Sequence, residues 1–250
     1  MARTATDDPL GPLALLPGVP EAVERARDAA TEVHNQPVNR RGWPATAAEA
    51  ALRAARSSAA LDGAPLTPAT TDHVSDPVLA GAVRIADERA RLLDTWGRAP
   101  LQGLARLHVL AATDLVPAAE HETVLGRPRA GVSSRLSTLA DLLGGGTRVP
   151  APVLVAVVHG ELLSLRAFGT ADGVVARAAA RLTAMSSGLD PRGLCVPEVG
   201  FLRRQPAYRE AAEGFAGGTP EGLARWITHC CAEWEAGGRE GLSIASAQGS

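Results

Sequence analysis

Two arginines bracket a glycine-containing stretch, RAFGTADGVVAR, at residues 166 to 177. Gly169 and Gly173 stand between two helical runs, and Gly173 opens the second of them. A helix N-terminus exposes unpaired backbone N–H groups and the positive end of the peptide dipole, so it attracts an anion. Arg166 ends the preceding run and Arg177 sits about one turn inside the following one. Guanidiniums on either side of such a terminus suit a phosphate or a carboxylate. Asp172, in the same loop, carries the opposite charge and keeps a plainer reading open: a helix connection whose arginines are solvated or paired with Asp172.

The elements that must position this loop are helical. Leu154, Val158, Leu162 and Leu165 recur at spacings of four, four and three before it, the period of a helix buried on at least one side. Val175, Ala178, Leu182 and Met185 repeat the pattern after it, with Gly188 as the stop. Val23, Ala26 and Ala30 mark a first helix after an irregular lead. A second begins near Trp43, where Thr46 and Glu49 have the spacing of a capping box, and closes at Asp62 and Gly63. Residues 77 to 95 read as one helix, Pro100 starts another carrying Leu104, Leu107, His108 and Ala111 on one face, and SSRLSTLADLLGG is a short helix capped by serine. A last helix is expected at 219 to 236, ending in Gly237 and Gly238. A short strand pair at 115 to 132 is the one β element considered, so the chain is predicted to be all-α or nearly so.

The 250 residues, 46% hydrophobic and 3% aromatic, are enough for one large domain with an Ala, Leu and Val core. All 25 basic residues are arginine, which excludes a Walker A lysine, a Schiff base and an amine base. A net charge of −2 disfavours non-specific nucleic-acid binding, and Arg203–Arg204 is a compact basic pair near a turn. Cys195, Cys230 and Cys231 neither frame a disulfide scaffold nor space a metal site, and no signal peptide or spanning segment is read, so no membrane partner and a cytoplasmic location are expected.

The stretch from 154 to 182, LVAVVHGELLSLRAFGTADGVVARAAARL, resembles the central motif of the Fic (Fido) family of nucleotidyl transferases, an apolar helix carrying a His followed by HPFx[DE]GNGRxxR. His159 stands seven before Arg166, and residues 166 to 177 fall on the pattern without a gap. Phe168, Gly173 and Arg177 match it. Arg166 replaces the motif His, Ala167 the Pro, Thr170 the metal carboxylate, Ala171 the first loop Gly, Asp172 the Asn and Val174 the first Arg. In the family the His takes a proton from the target hydroxyl, the acidic residue holds magnesium, and the loop and arginines bind nucleotide phosphates. The resemblance therefore implies Arg166, Phe168, Gly169, Asp172, Gly173 and Arg177 as a nucleotide- or phosphate-binding set. It also implies ATP or another nucleotide as ligand.

Arg166 has no lone pair near neutrality, and losing a general base typically removes about 10²- to 10⁴-fold of rate, roughly 3 to 5 kcal/mol. Thr170 offers a neutral hydroxyl where a hard cation wants carboxylate, which disfavours magnesium; Asp172 is the one nearby substitute. No catalytic residue is assigned, and ordinary AMP transfer is not expected. SSAALDG, residues 57 to 63, further resembles the family's inhibitory helix, [ST]xxxE[GN], through Ser58, Asp62 and Gly63 with Asp in place of Glu, which implies an Asp62–Arg177 ion pair. Leu107–His108 resembles an upstream family element, and both His108 and His159 read as structural. The organisation implied is a lead and helix at 1–42, a Fic-like helical domain at 43–190, and a helical extension at 191–250 on the same core. Three functions stay open: a degenerate nucleotide-binding regulator with a protein partner, a transferase of altered chemistry, or a structural interaction domain. For the last, Phe201, Tyr208, Phe215, Trp226 and Trp234 are either an interface or core.

Overall fold

The computed structural model describes residues 8–66 and 75–248; the first residues of the expected lead lie outside them. In chain order the α-helices are α1 (Gly11–Ala14), α2 (Val19–Asn35), α3 (Trp43–Leu61), α4 (Pro77–Asp87), α5 (Arg89–Arg98), α6 (Pro100–Ala112), α7 (His121–Val124), α8 (Ser133–Asp141), α9 (Ala151–Leu165), α10 (Asp172–Ser186), α11 (Pro197–Arg203), α12 (Gln205–Gly217) and α13 (Pro220–Gln248). No strand occurs among the described residues. Where a strand pair was considered, at 115 to 132, the chain makes helical turns. The His121 ring bridges the carbonyls of Thr113 and Val116 at 3.1 and 2.9 Å, which ties that segment back to the end of α6.

Three local expectations are corrected, each by a tertiary contact. Thr46 does not cap α3: the helix already starts at Trp43, and the buried Thr46 hydroxyl donates to Asn39 Oδ1 at 2.7 Å while Asn39 donates to the Val33 carbonyl at 2.8 Å. Glu49 instead pairs with Arg53 one turn on. No serine side chain caps α8; Gly131, at φ +87°, turns the chain so that buried Val132 takes the N-cap position. The run from 77 to 95 breaks at Glu88, after which α5 packs on α10 while α4 stays against α3 and α6.

The largest departure is α13. It passes straight through Gly237 and Gly238, where the sequence reads as a stop, and continues to Gln248. The glycines are there for closeness rather than for a turn. A Cβ on Gly237 would lie 2.6 Å from the Pro197 nitrogen, one on Gly238 2.9 Å from the Ala29 methyl, and one on Gly241 2.5 Å from the Leu194 carbonyl oxygen. Side-chain-free positions let α13 lie along α2 and under α11 at backbone distance.

α9 runs through the middle, with Val153, Val155, Ala156, Val157, Val158 and Leu162 all buried. On one side it shares a core with α2, α11, α12 and α13 through Val23, Phe201, Tyr208, Trp226 and Ile227. On the other it shares a core with α5, α6, α8 and α10 through Trp96, Leu107, Leu136 and Val175. Residues after 190 thus belong to the same apolar interior as α2 and α9. Among the described residues no helix is long and apolar enough to cross a membrane. The buried Phe201, Tyr208, Phe215, Trp226 and Trp234 form part of the interior, so they do not provide an exposed partner surface.

Candidate functional site

The connection between α9 and α10 is strained and firmly held. Arg166 and Ala171 are the only non-glycine residues at positive φ among the described residues, at +44° and +54°, and Gly169 between them lies at +80°. Left-handed geometry costs a residue with a Cβ about 1 to 2 kcal/mol, so the surroundings must impose it. Phe168 does so from below: it is buried and stacks on His108 of α6, ring centroids 4.2 Å apart and planes within 9°. His108 is fixed in turn by the Gly126 N–H, which donates to Nδ1 at 3.0 Å. Arg129 adds a clasp, its N–H donating to the Ala167 carbonyl at 2.8 Å and its guanidinium to the Leu165 carbonyl at 3.3 Å. Burial pushes the His108 pKa down to about 4, with only a small opposing pull from the Thr170 backbone, so its ring is neutral at pH 7.

Asp172 is turned into the loop. Its Oδ1 accepts the Phe168 N–H at 2.9 Å, and the Gly169 amide lies beside it as well. Burial raises its pKa despite those amides and the nearby Arg129 and Arg166. One carboxylate oxygen therefore braces the bend, while the side chain still lines the space above it.

Above this bend opens a cleft of about 920 Å³, a size usual for small-molecule sites. Arg166, Gly169, Asp172, Gly173 and Arg177 line it, and Asp62 at the end of α3 closes one wall. Of the residues implied by the motif, Phe168 alone faces away, into the core. Gly173 is required by proximity: a Cβ there would stand 2.5 Å from both Asp62 carboxylate oxygens. Gly63, at φ +99°, ends α3 and lets Asp62 take that position.

Arg177 is only 2% exposed, and most of its donors are spent. Nε donates to Ser58 Oγ at 2.8 Å, Nη2 to the Ser58 carbonyl and to Asp62 Oδ1 at 2.9 Å each, and Nη1 to the Tyr208 hydroxyl at 3.5 Å. Burial opposes its charge, but Tyr208 and Asp62 outweigh that and hold the guanidinium above its ordinary pKa. The Ser58–Asp62–Arg177 pairing thus exists as a physical contact, and it keeps Arg177 from reaching into the cleft while Asp62 stays in place.

Tyr208 extends the chain of contacts inward. Burial pushes its pKa up to about 12, partly offset by Arg177, and its hydroxyl lies 2.9 Å from His159 Nε2. Burial first, then Arg177 and His229, drive the His159 pKa well below its usual value, so the neutral imidazole accepts from the Tyr208 O–H. His159 is enclosed by Phe201, Tyr208 and Trp226, whose indole N–H donates to the Ala156 carbonyl at 2.8 Å. A histidine so enclosed acts as structure, not as a base for the cleft.

Tyr208, Arg209 and Glu213 of α12 form the wall opposite α3. Sequence reading missed them as site residues, because they lie far along the chain from the motif. One signal was present: Tyr208 is the single tyrosine in an aromatic-poor chain, and a buried tyrosine hydroxyl needs a polar partner. The cleft offers guanidiniums from Arg166 and Arg209, for neither of which a hydrogen bond occurs within the described residues, together with the amide end of α10. Among the described residues it holds no imidazole, thiol or amine. Asp62, Asp172 and Glu213 line it as well, so the cleft carries charges of both signs. No known family model matches the chain, and no curated protein matches it either.

Proposed function

We propose that this chain is a Fic-like protein that keeps an anion-binding cleft without the transfer chemistry, and that it binds a nucleotide or another phosphate-bearing molecule in a regulatory or partner-binding role. One observation carries the reading: the loop residues Arg166, Gly169, Asp172 and Gly173, picked out by their spacing, line a single cleft with Arg177, and Asp62 from the helix resembling an inhibitory one sits against Gly173 and Arg177. Arginine is a strong partner for phosphate oxygens, and the amide end of α10 adds donors of the same polarity.

The same residues argue against catalysis. Arg166 cannot accept a proton, and His159 is walled off behind Tyr208. Thr170 is neutral where a magnesium ion wants a carboxylate, and one oxygen of Asp172 is held by the Phe168 amide, which disfavours that ion. Binding without transfer is what remains.

Calorimetry with ATP, ADP and pyrophosphate tests the reading on the wild type, Arg166→Ala and Asp62→Ala. Binding is expected, weakened about tenfold or more by Arg166→Ala and strengthened by Asp62→Ala, which removes a negative charge from the wall. Absence of binding by all three ligands to both wild type and Asp62→Ala would sink the nucleotide reading. Labelled product from incubation with labelled ATP would sink the loss of transfer chemistry.

A further inference from the structure

On the far side of Arg177 lies a separate recess whose walls come from α3, α4, α5 and α10, with Glu198 of α11. Ala54, Ala55, Ala82, Ala86, Leu92 and Leu182 make it apolar over most of its lining. The charged side chains that reach it are Arg89, Arg177, Arg181 and Glu198. Their pairing is uneven. Arg177 is taken up by Ser58, Asp62 and Tyr208. Arg181 donates to the Cys195 carbonyl at 2.8 Å, to Glu198 at 3.1 Å and to the Gly193 carbonyl at 3.3 Å.

Arg89 has, among the described residues, a single hydrogen bond: Nη1 to the Ala47 carbonyl at 3.3 Å. The next carboxylate, Asp190, is occupied by His34 at 2.8 Å and by the amides of Leu194 and Cys195. With Asp62 matched to Arg177 and Glu198 to Arg181, one half-buried guanidinium is left over. Burial, and then repulsion from Arg181, hold the Arg89 pKa below its ordinary range.

We propose that this recess binds a short aliphatic monocarboxylate, its two oxygens forked on Arg89 and its carbon chain against the alanine wall. The planar guanidinium presents paired donors that match a carboxylate, and one leftover positive charge calls for one negative charge. The free volume is about 50 Å³, and at about 10 to 15 Å³ for each water-sized centre it admits roughly three to five such centres. Acetate and propionate, with four and five heavy atoms, are of that size; a nucleotide is far too large. Inorganic phosphate is disfavoured because its extra oxygens would face methyl groups and its second charge would find only arginines already paired. None of residues 166 to 173 lines this recess, so the inference does not depend on what the larger cleft binds.

The test titrates propionate, propionamide and inorganic phosphate into the methyl-labelled chain and follows the Ile85, Leu182 and Met185 signals by NMR, since these methyl groups line the recess. Propionate should shift them saturably, and propionamide, which lacks the charge, should bind about tenfold or more weakly. Arg89→Gln should weaken propionate by a similar factor. Ala86→Leu, which fills the recess with apolar volume, should abolish the shifts while the chain still melts cooperatively. Equal binding of propionate and propionamide, phosphate shifting the same methyls, or unchanged affinity in Arg89→Gln would each overturn the proposal. So would the absence of any shift at about 50 mM propionate, since affinity weaker than that is no specific site.

Discussion

Arg177 shows how a charge can be kept almost fully buried: every one of its contacts is a hydrogen bond to an oxygen, from Ser58, Asp62 or Tyr208. Arg177→Ala strands those oxygens and should cost about 3 to 5 kcal/mol in urea unfolding. Asp62→Ala should cost less, about 1 to 2 kcal/mol, because Asp62 is 27% exposed and water can reach the guanidinium from that side. Gly173→Ala sets a methyl against the Asp62 carboxylate. It should destabilise by about 1 to 2 kcal/mol although alanine favours a helix by about 1 kcal/mol. A double-mutant cycle with Asp62→Ala checks the cause, since the double mutant should cost less than the two single changes added together. At Ala171, held at φ +54°, the opposite sign is expected: Ala171→Gly relieves strain and should raise stability by about 0.5 to 1 kcal/mol in the same measurement. Ser58, Asp62 and Arg177 were legible as a group only through the resemblance of residues 57 to 63 to an inhibitory helix, which implied the pair. Tyr208 was not, because a buried aromatic reads the same whether its hydroxyl points at a core wall or at an arginine.

At the scale of elements, period and punctuation carried different amounts of information. The four-four-three spacing of α9 predicts its helix because burial on a cylinder forces that recurrence, and burial is what α9 has. Caps and stops are weaker signals, since the same residue serves several purposes. Gly237–Gly238 looks like a terminator, yet in α13 it is a surface for α2 and α11. Thr46 looks like a cap, yet it donates to Asn39. Only the position of a neighbouring element distinguishes these uses, and that position is not written locally. Gly241→Val is the sharper test of the close packing. On propensity alone it should stabilise a helix, whereas a Cβ 2.5 Å from the Leu194 carbonyl should push α13 away and cost about 2 to 3 kcal/mol by thermal melting.

At the scale of the whole molecule, burial keeps three histidines neutral among the described residues: His108, His159 and His229. A folded-state pKa lowered below the unfolded value means that the unfolded chain binds the proton first. Stability is therefore complete above about pH 6.5 and falls as the pH drops toward the folded values, about 4 for His108. His108 alone should account for roughly 2 to 3 kcal/mol of that loss, and urea midpoints at pH 7 and pH 4.5 should show it, with a shallower slope in His108→Gln. A different consequence follows from α13 lying along α2. About 200 positions separate the two in order of synthesis, and at about 5 to 20 residues per second a ribosome needs roughly ten to forty seconds to bridge that interval. Throughout it, Val23 and Val33 wait without their cover, so a nascent chain displays a sticky early helix until its last turns emerge, and chaperone occupancy should track that helix rather than the loop at 166.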